Sequence, residues 1–399
     1  MATQNRGVMS ARSGNGAPAY LSDSLLFDWK QASFQTDLVF VIAIAVCLAV
    51  GIAAGSPRAG MIAASGAFTV GSGAKQRIDG SRLVPMMFAA FSMTLSTFVG
   101  MVTGHTHYLI VGVVALWAFI YGMWQRRQPG YAWVSQQAVI FLLIATAFPF
   151  SPKAAALRAL LVFAGGTLQI LITSAMLQIF GKLRIHLSEL ASYAQKEEQV
   201  IREALRHMAH SVKKRSFEDS PVPFALRVSL VLALGTVIYQ RTHFVSGYWI
   251  PMTSLLVLKP GVYDTMNRAI ARVLGTIVGA ALLTVLLAHI SPTPPVLALF
   301  TVLFAWLAYS TLYVNYMLFT VCLTSYIVFL LALNKLPQAE IARQRAICTI
   351  IGGGLALVMR LIVLARRKKV EEQEEAEKIS ETGMSGSGFN GTGISGAGG

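Results

Sequence analysis

Between Tyr248 and Arg272 the chain gathers the side chains with most chemistry to offer: an aromatic pair, Tyr248-Trp249; a cation, Lys259; a carboxylate, Asp264; and two guanidinium groups, Arg268 and Arg272. Arg268 and Arg272 are four residues apart, so on a helix they share one face. An arginine at the edge of an apolar helix is costly, and it snorkels, pairs or faces a polar cavity. Facing a cavity, the pair would hold an anionic substrate, because guanidinium binds carboxylate bidentately; Lys259 would add charge at the mouth. Snorkelling, they would be plain anchors, and the residues alone leave both readings open. Tyr248 and Trp249 fit a membrane-interface belt or a platform on which an aromatic acid stacks. Asp264 is the candidate coupling group of a proton-driven pathway, while the spacing Asp264-Thr-Met-Asn-Arg268 equally fits a helix cap.

The elements around these residues are unusual for a membrane span. The apolar run Met252–Leu258 is broken by Lys259-Pro260-Gly261 and falls short of the roughly 20 residues a straight helix needs to cross the hydrocarbon core. Short pieces bounded by Pro and Gly are the discontinuous segments that line transport sites. Downstream, Gly275 and Gly279 form a small-xxx-small step that lets another helix approach closely. The pattern Tyr248-Trp249, Val257-Leu258-Lys259-Pro260, Arg268 and Arg272-Val-Leu-Gly275-Thr-x-x-Gly279 resembles the fusaric acid resistance (FUSC) and aromatic acid exporter family of integral membrane transporters. The resemblance is close over this segment and extends over the rest by hydropathy alone. It implies efflux of small organic anions such as aromatic carboxylic acids, with a periplasmic adaptor protein as a partner. The chain departs from the larger members in carrying no large soluble domain, which leaves that partner open. The family is also similar to the plant aluminium-activated malate transporters, so a passive anion channel is one alternative. A membrane scaffold that transports nothing is another.

Composition sets the class independently. The chain has 399 residues, 55% hydrophobic and 13% charged, with a mean hydropathy of +0.59; soluble domains carry about 25% charged residues. The net charge of +15 comes from basic residues in short loops beside apolar segments. That arrangement reads as orientation in a lipid bilayer rather than as a nucleic-acid surface. Cys47, Cys322 and Cys348 sit singly in apolar runs, so they read as small core residues with no disulfide framework or zinc site. No HExxH or GxxxxGK[ST] motif occurs, and Gly71-Ser-Gly-Ala-Lys75 lacks the spacing to cradle phosphates. No enzyme, no metal and no cofactor is expected; an ion gradient or a partner would drive any active transport.

The expected architecture is an all-α polytopic membrane protein of about twelve transmembrane helices in two six-helix repeats, with a cytoplasmic amphipathic helix between them. Residues 1–37 form a cytoplasmic segment without a cleaved signal peptide. The first repeat covers 38–181 and the second, FUSC-like, covers 223–365. The charged stretch 182–222 is a helical linker, or an arm for homodimerisation. Residues 366–399 run from a basic cluster through an acidic helix to a Gly- and Ser-rich tail, disordered over 383–399. The repeat rests on Arg158 and Arg345, each followed by six residues and a Gly-Gly pair, and on Met61–Val70 as a second short segment matching Met252–Leu258. The basic loops place both termini inside the cell's inner (plasma) membrane. Arg158 and Arg345 then lie at the outer edge, as anchors or as part of the pathway.

Overall fold

A computed structural model describes residues 27–125, 128–148, 151–176, 221–242, 244, 246–289, 293–333 and 338–386. After a 3-10 turn at Trp29–Gln31 come twelve α-helices among the described residues. The first six are α1 (Phe34–Ala53), α2 (Pro57–Gly73), α3 (Leu83–Thr103), α4 (His107–Trp124), α5 (Pro129–Thr146) and α6 (Pro152–Met176). The second six are α7 (Val222–Thr242), α8 (Trp249–Val257), α9 (Val262–His289), α10 (Pro294–Thr311), α11 (Tyr316–Ala332) and α12 (Gln338–Gly386). Among the described residues there is no strand, and eight helices are long and apolar enough to cross a membrane. The chain is an all-α polytopic membrane protein. Large apolar side chains such as Phe91, Leu160 and Leu299 remain exposed on its outer surface, as a lipid-facing belt requires. Cys47, Cys322 and Cys348 are free and buried.

Local signals explain four of the helix starts. Pro stands in the first turn of α2, α5 and α10, where its missing N–H costs nothing. The Asn315 side chain accepts from the Met317 and Leu318 N–H groups at 2.8 and 3.0 Å. It thereby caps α11 and fixes the tight turn expected between Tyr313 and Tyr316.

Two expectations are corrected. Met61–Val70 is not a short broken segment: it lies inside α2, which runs unbroken for 17 residues. Hydroxyl groups on α2 satisfy themselves locally, Ser65 donating to the Ile62 carbonyl and Ser72 to the Thr69 carbonyl, so a polar-looking stretch stays helical. Among the described α-helices α8, at nine residues, is the shortest, about 14 Å at 1.5 Å per residue. The tail also differs. α12 is one helix of 49 residues ending at Gly386, so residues 383–386, expected to be disordered, are helical. The Glu- and Lys-rich run before them has high helix propensity and carries the helix onward. The expected linker helix, 182–222, lies almost wholly outside the described residues, as do residues 387–399.

The helices pack in a regular scheme. α1 packs on α2, α2 on α6, α3 on α5 and α6, and α4 on α5. Six helices on, α7 packs on α8, α8 on α12, α9 on α11 and α12, and α10 on α11. The two sets interlock through α4 against α7 and α1 against α10. The apolar core is divided accordingly. One buried cluster joins Ile44, Met61 and Val70 to Phe304 and Phe329; the other joins Val114 and Leu142 to Leu232, Ile250 and Cys348. Each cluster therefore draws side chains from both sets, which leaves room between them for the cavity described next.

Candidate functional site

The α8–α9 junction builds the site. α8 stops at Val257 because Leu258 is extended (ψ 118°), as a residue close ahead of a proline tends to be, and Pro260 cannot continue the helix. The turn is then tied down. The Lys259 N–H donates to the Thr265 hydroxyl at 3.1 Å, and that hydroxyl donates to the Gly261 carbonyl at 2.8 Å. The Arg360 guanidinium of α12 donates to the Pro260 carbonyl. α9 starts directly after the turn and carries Arg268 and Arg272 one turn apart.

Between the two helix sets lies a cavity of about 590 Å³, and Tyr248, Trp249, Lys259, Arg268 and Arg272 all line it. The structure thus brings the five sequence-derived candidates to one wall system. Arg158 of α6 joins them. Four basic side chains therefore face the cavity, and no Asp or Glu is among its described lining residues. Aromatic rings supply much of the rest: Tyr309, Tyr313, Tyr316, Phe319 and Tyr326 from the second set, Phe68 and Phe141 from the first. Phe68 stacks on Tyr326 at 4.2 Å between centroids. The Arg268 guanidinium sits 4.7 Å from the Tyr316 ring centroid, and Tyr248 and Trp249 lie 5.3 Å apart. Gln76, Gln125, Gln136 and Gln137 add neutral polar groups. The Gln136-Gln137 pair inside the apolar run of α5 is a sequence signal for the last two.

A second recess of about 540 Å³ shares Gln125, Lys259, Arg268, Tyr313 and Tyr316 with the cavity and forms its vestibule. Asp264 lines this vestibule but is exposed there, in the first turn of α9. It faces solvent at the mouth and does not reach the central cavity. Burial pushes the Lys259 amine down to about 7; the nearby Arg268 charge adds to the fall and Asp264 opposes it. The amine is therefore charged below pH 7 and neutral above it. A benzoate-like carboxylate stays ionised above about pH 5, so its binding is expected to strengthen several-fold as pH falls from 8 to 6. Lys259→Met should flatten that dependence in a binding titration.

Arg272 is 2% exposed, with no acceptor for its Nε. Gly275 and Gly279, one and two turns further along α9, pack on α11. A Cβ at Gly275 would meet the Met317 carbonyl, and one at Gly279 the Val321 carbonyl and Thr324. This close approach holds the arginine-bearing helix against the aromatic wall.

Among the described residues Asp37, not Asp264, is the buried carboxylate. It pairs with Lys75 at 2.9 Å, the two being 1% and 11% exposed. Ser33 donates to Asp37 at 2.8 Å, and Lys75 also donates to the Tyr309 carbonyl at 2.6 Å. Burial lowers the Lys75 pKa, and the Asp37 hydrogen bond and charge oppose the shift. Lys75 and Lys259 each stand two residues beyond the end of a helix, α2 and α8. The first is neutralised by a carboxylate. Among the described residues the second has no salt bridge and faces the cavity.

The two arginines read as outer-edge residues are both drawn inward. Arg158 stacks on Phe148 at 4.3 Å. Arg345, 1% exposed, stacks on Trp249 at 3.9 Å. The shared spacing to a Gly-Gly pair was the signal for both. A Cβ at Gly165 would strike the Ala63 carbonyl of α2, and one at Gly352 the Ile250 carbonyl of α8, so each glycine seats its arginine-bearing helix on a neighbour.

Comparison with known proteins agrees with the resemblance read from this segment. Residues 232–359 match the family model described as fusaric acid resistance protein-like. Over 133 residues the chain is 36% identical to the inner membrane protein YccS of Escherichia coli (strain K12), covering 33% of this chain and 18% of that protein. It is 30% identical over 133 residues to the uncharacterized protein slr1298 of Synechocystis sp., covering 33% and 18%. It is 30% identical over 146 residues to the uncharacterized protein ORF2 of Neisseria gonorrhoeae, covering 35% and 34%. The matches thus span between 18% and 34% of the length of these relatives. No solved structure matches.

Proposed function

We propose that this chain, a membrane protein whose residues 232–359 are fusaric acid resistance-like, carries small organic anions, aromatic carboxylates foremost, through the cavity between its two helix sets. One observation carries the reading: among the described residues, four basic side chains and a set of aromatic rings line the cavity, and no carboxylate does. A guanidinium takes the carboxylate, and the rings take the aromatic body. The solute enters at the vestibule beside Lys259 and Arg268, is held by Arg272, and leaves past Tyr248 and Trp249. The basic α2–α3, α4–α5 and α8–α9 turns put the vestibule on the inner side, with both termini inside. The inner membrane is its site, in keeping with the name of the E. coli relative. Rocking of the helix sets, built as two copies of one unit, gives alternating access. Asp264 at the mouth is the candidate coupling group, and a periplasmic adaptor or a second copy of the chain the candidate partner.

Purified protein in liposomes tests this. Saturable uptake of labelled benzoate, accelerated by benzoate on the opposite side, is the expected result; uptake no faster than in protein-free liposomes would overturn it. The absence of carboxylates from the cavity wall also favours a passive anion channel. That reading is selected if benzoate carries a steady current across a planar bilayer without exchange.

A further inference from the structure

Arg345 lies outside the lining of the cavity and of its vestibule, yet its surroundings point to an anion. Among the described residues its Nε, Nη1 and Nη2 all lack a hydrogen-bond acceptor, and the guanidinium lies against the face of the Trp249 ring. A buried guanidinium with no acid or acceptor is one of the costliest arrangements a protein holds, and a cation–π contact offsets it only in part. It does not stand alone. Trp249 Nε1, Thr253 Oγ1 and Arg272 Nε are also buried without partners. All belong to α8, α9 and α12, which pack on one another. Donors without acceptors are thus concentrated where the three helices meet.

The position of Trp249 gives this concentration a use. The ring lines the cavity and stacks on Arg345, so it stands between the cavity and that guanidinium. Trp249 opens the nine-residue α8 and is preceded by the turn at 246–248. That turn is pinned to α12 by the Ser246 N–H, which donates to the Gln344 side chain at 3.1 Å. Turning the ring aside would expose Arg345 to a solute already held by Arg272.

We propose that Arg345 is a second anion-binding residue, screened from the cavity by the Trp249 ring, and that the carried carboxylate passes from Arg272 to Arg345 as it crosses the protein. This rests on the reading of the cavity as an organic-anion carrier. It adds a two-post route in which neither post must release its anion into an uncompensated space.

The test measures benzoate binding to purified protein and benzoate exchange per folded molecule in liposomes. In Arg345→Gln, binding should stay within about twofold of the unaltered protein while exchange falls about tenfold or more. Arg345→Lys should restore exchange to within about threefold, because the charge returns without the fork. With the ring removed in both, Trp249→Ala should bind benzoate about fivefold or more tighter than Trp249→Ala/Arg345→Gln, because only the first still joins the two posts. The inference is overturned if Arg345→Gln weakens binding as far as Arg272→Gln does, since Arg345 would then belong to the first post. It is equally overturned if Arg345→Gln leaves exchange per folded molecule unchanged, since the arginine would then only support the ring. No benzoate binding by the unaltered protein would sink the carrier reading and this inference with it. Binding without exchange in the unaltered protein would sink the passage between posts alone.

Discussion

Arg272→Gln is expected to abolish benzoate exchange while leaving the protein folded in the membrane. Removing one partner of a buried charge-assisted pair costs about 2–5 kcal/mol of binding, which corresponds to roughly 30- to 5,000-fold in affinity. Arg272 is the cavity cation with the least solvent to replace it, at 2% exposure. The same burial predicts the opposite sign for stability. An uncompensated buried cation is a burden in the absence of its anion, so the neutral glutamine should hold or raise the melting temperature. Arg272→Lys keeps the charge but loses the planar fork, and its affinity should fall between the two. Exchange at the unaltered rate in Arg272→Gln would remove this arginine from the pathway. A folded yield that collapses with it would make the residue structural.

Lys75→Met is expected to act on folding rather than on the anion. It leaves the Asp37 carboxylate, 1% exposed, buried without its cation, and breaking a buried pair in this way costs about 3–5 kcal/mol. It also cuts the bond from the Lys75 amine to the Tyr309 carbonyl, which ties the end of α2 to α10 across the two helix sets. Asp37→Leu combined with Lys75→Met should recover most of the loss, because two matched apolar groups replace a costly pair. Thermal unfolding in detergent would measure both. If the double variant is as stable as the unaltered protein but fails to exchange benzoate, the pair takes part in transport as well as in packing.

The class of the fold was legible because it depends on local quantities. Long apolar runs, the Pro residues that open α5 and α10, and the break at Lys259-Pro260-Gly261 each act within a few residues. The twelve helices follow from them almost in register. The candidate site was legible for the same reason: Arg268 and Arg272 share a face by helical spacing alone, and Tyr248, Trp249 and Lys259 lie close by along the chain. The pairing of Met61–Val70 with Met252–Leu258 fails, because α2 runs unbroken from Pro57 to Gly73 whereas α8 stops after nine residues. Gly- and Ser-rich composition misplaced the end of α12, which continues from the charged run through residues 383–386.

What the chain order could not show is which charges are neutralised. Lys75 and Lys259 are near-identical in sequence setting, each two residues past a helix. Only the packing of α1 beside α2 brings Asp37 to the first and leaves the second facing the cavity. Arg345 reads as an interfacial anchor until α8, too short to span, folds Trp249 over it and takes it out of water. Helix identity is settled by short-range sterics and hydrophobicity. The fate of a charge in a membrane depends on distant partners and on the dielectric they create around it, and those exist only once the two helix sets have closed on each other.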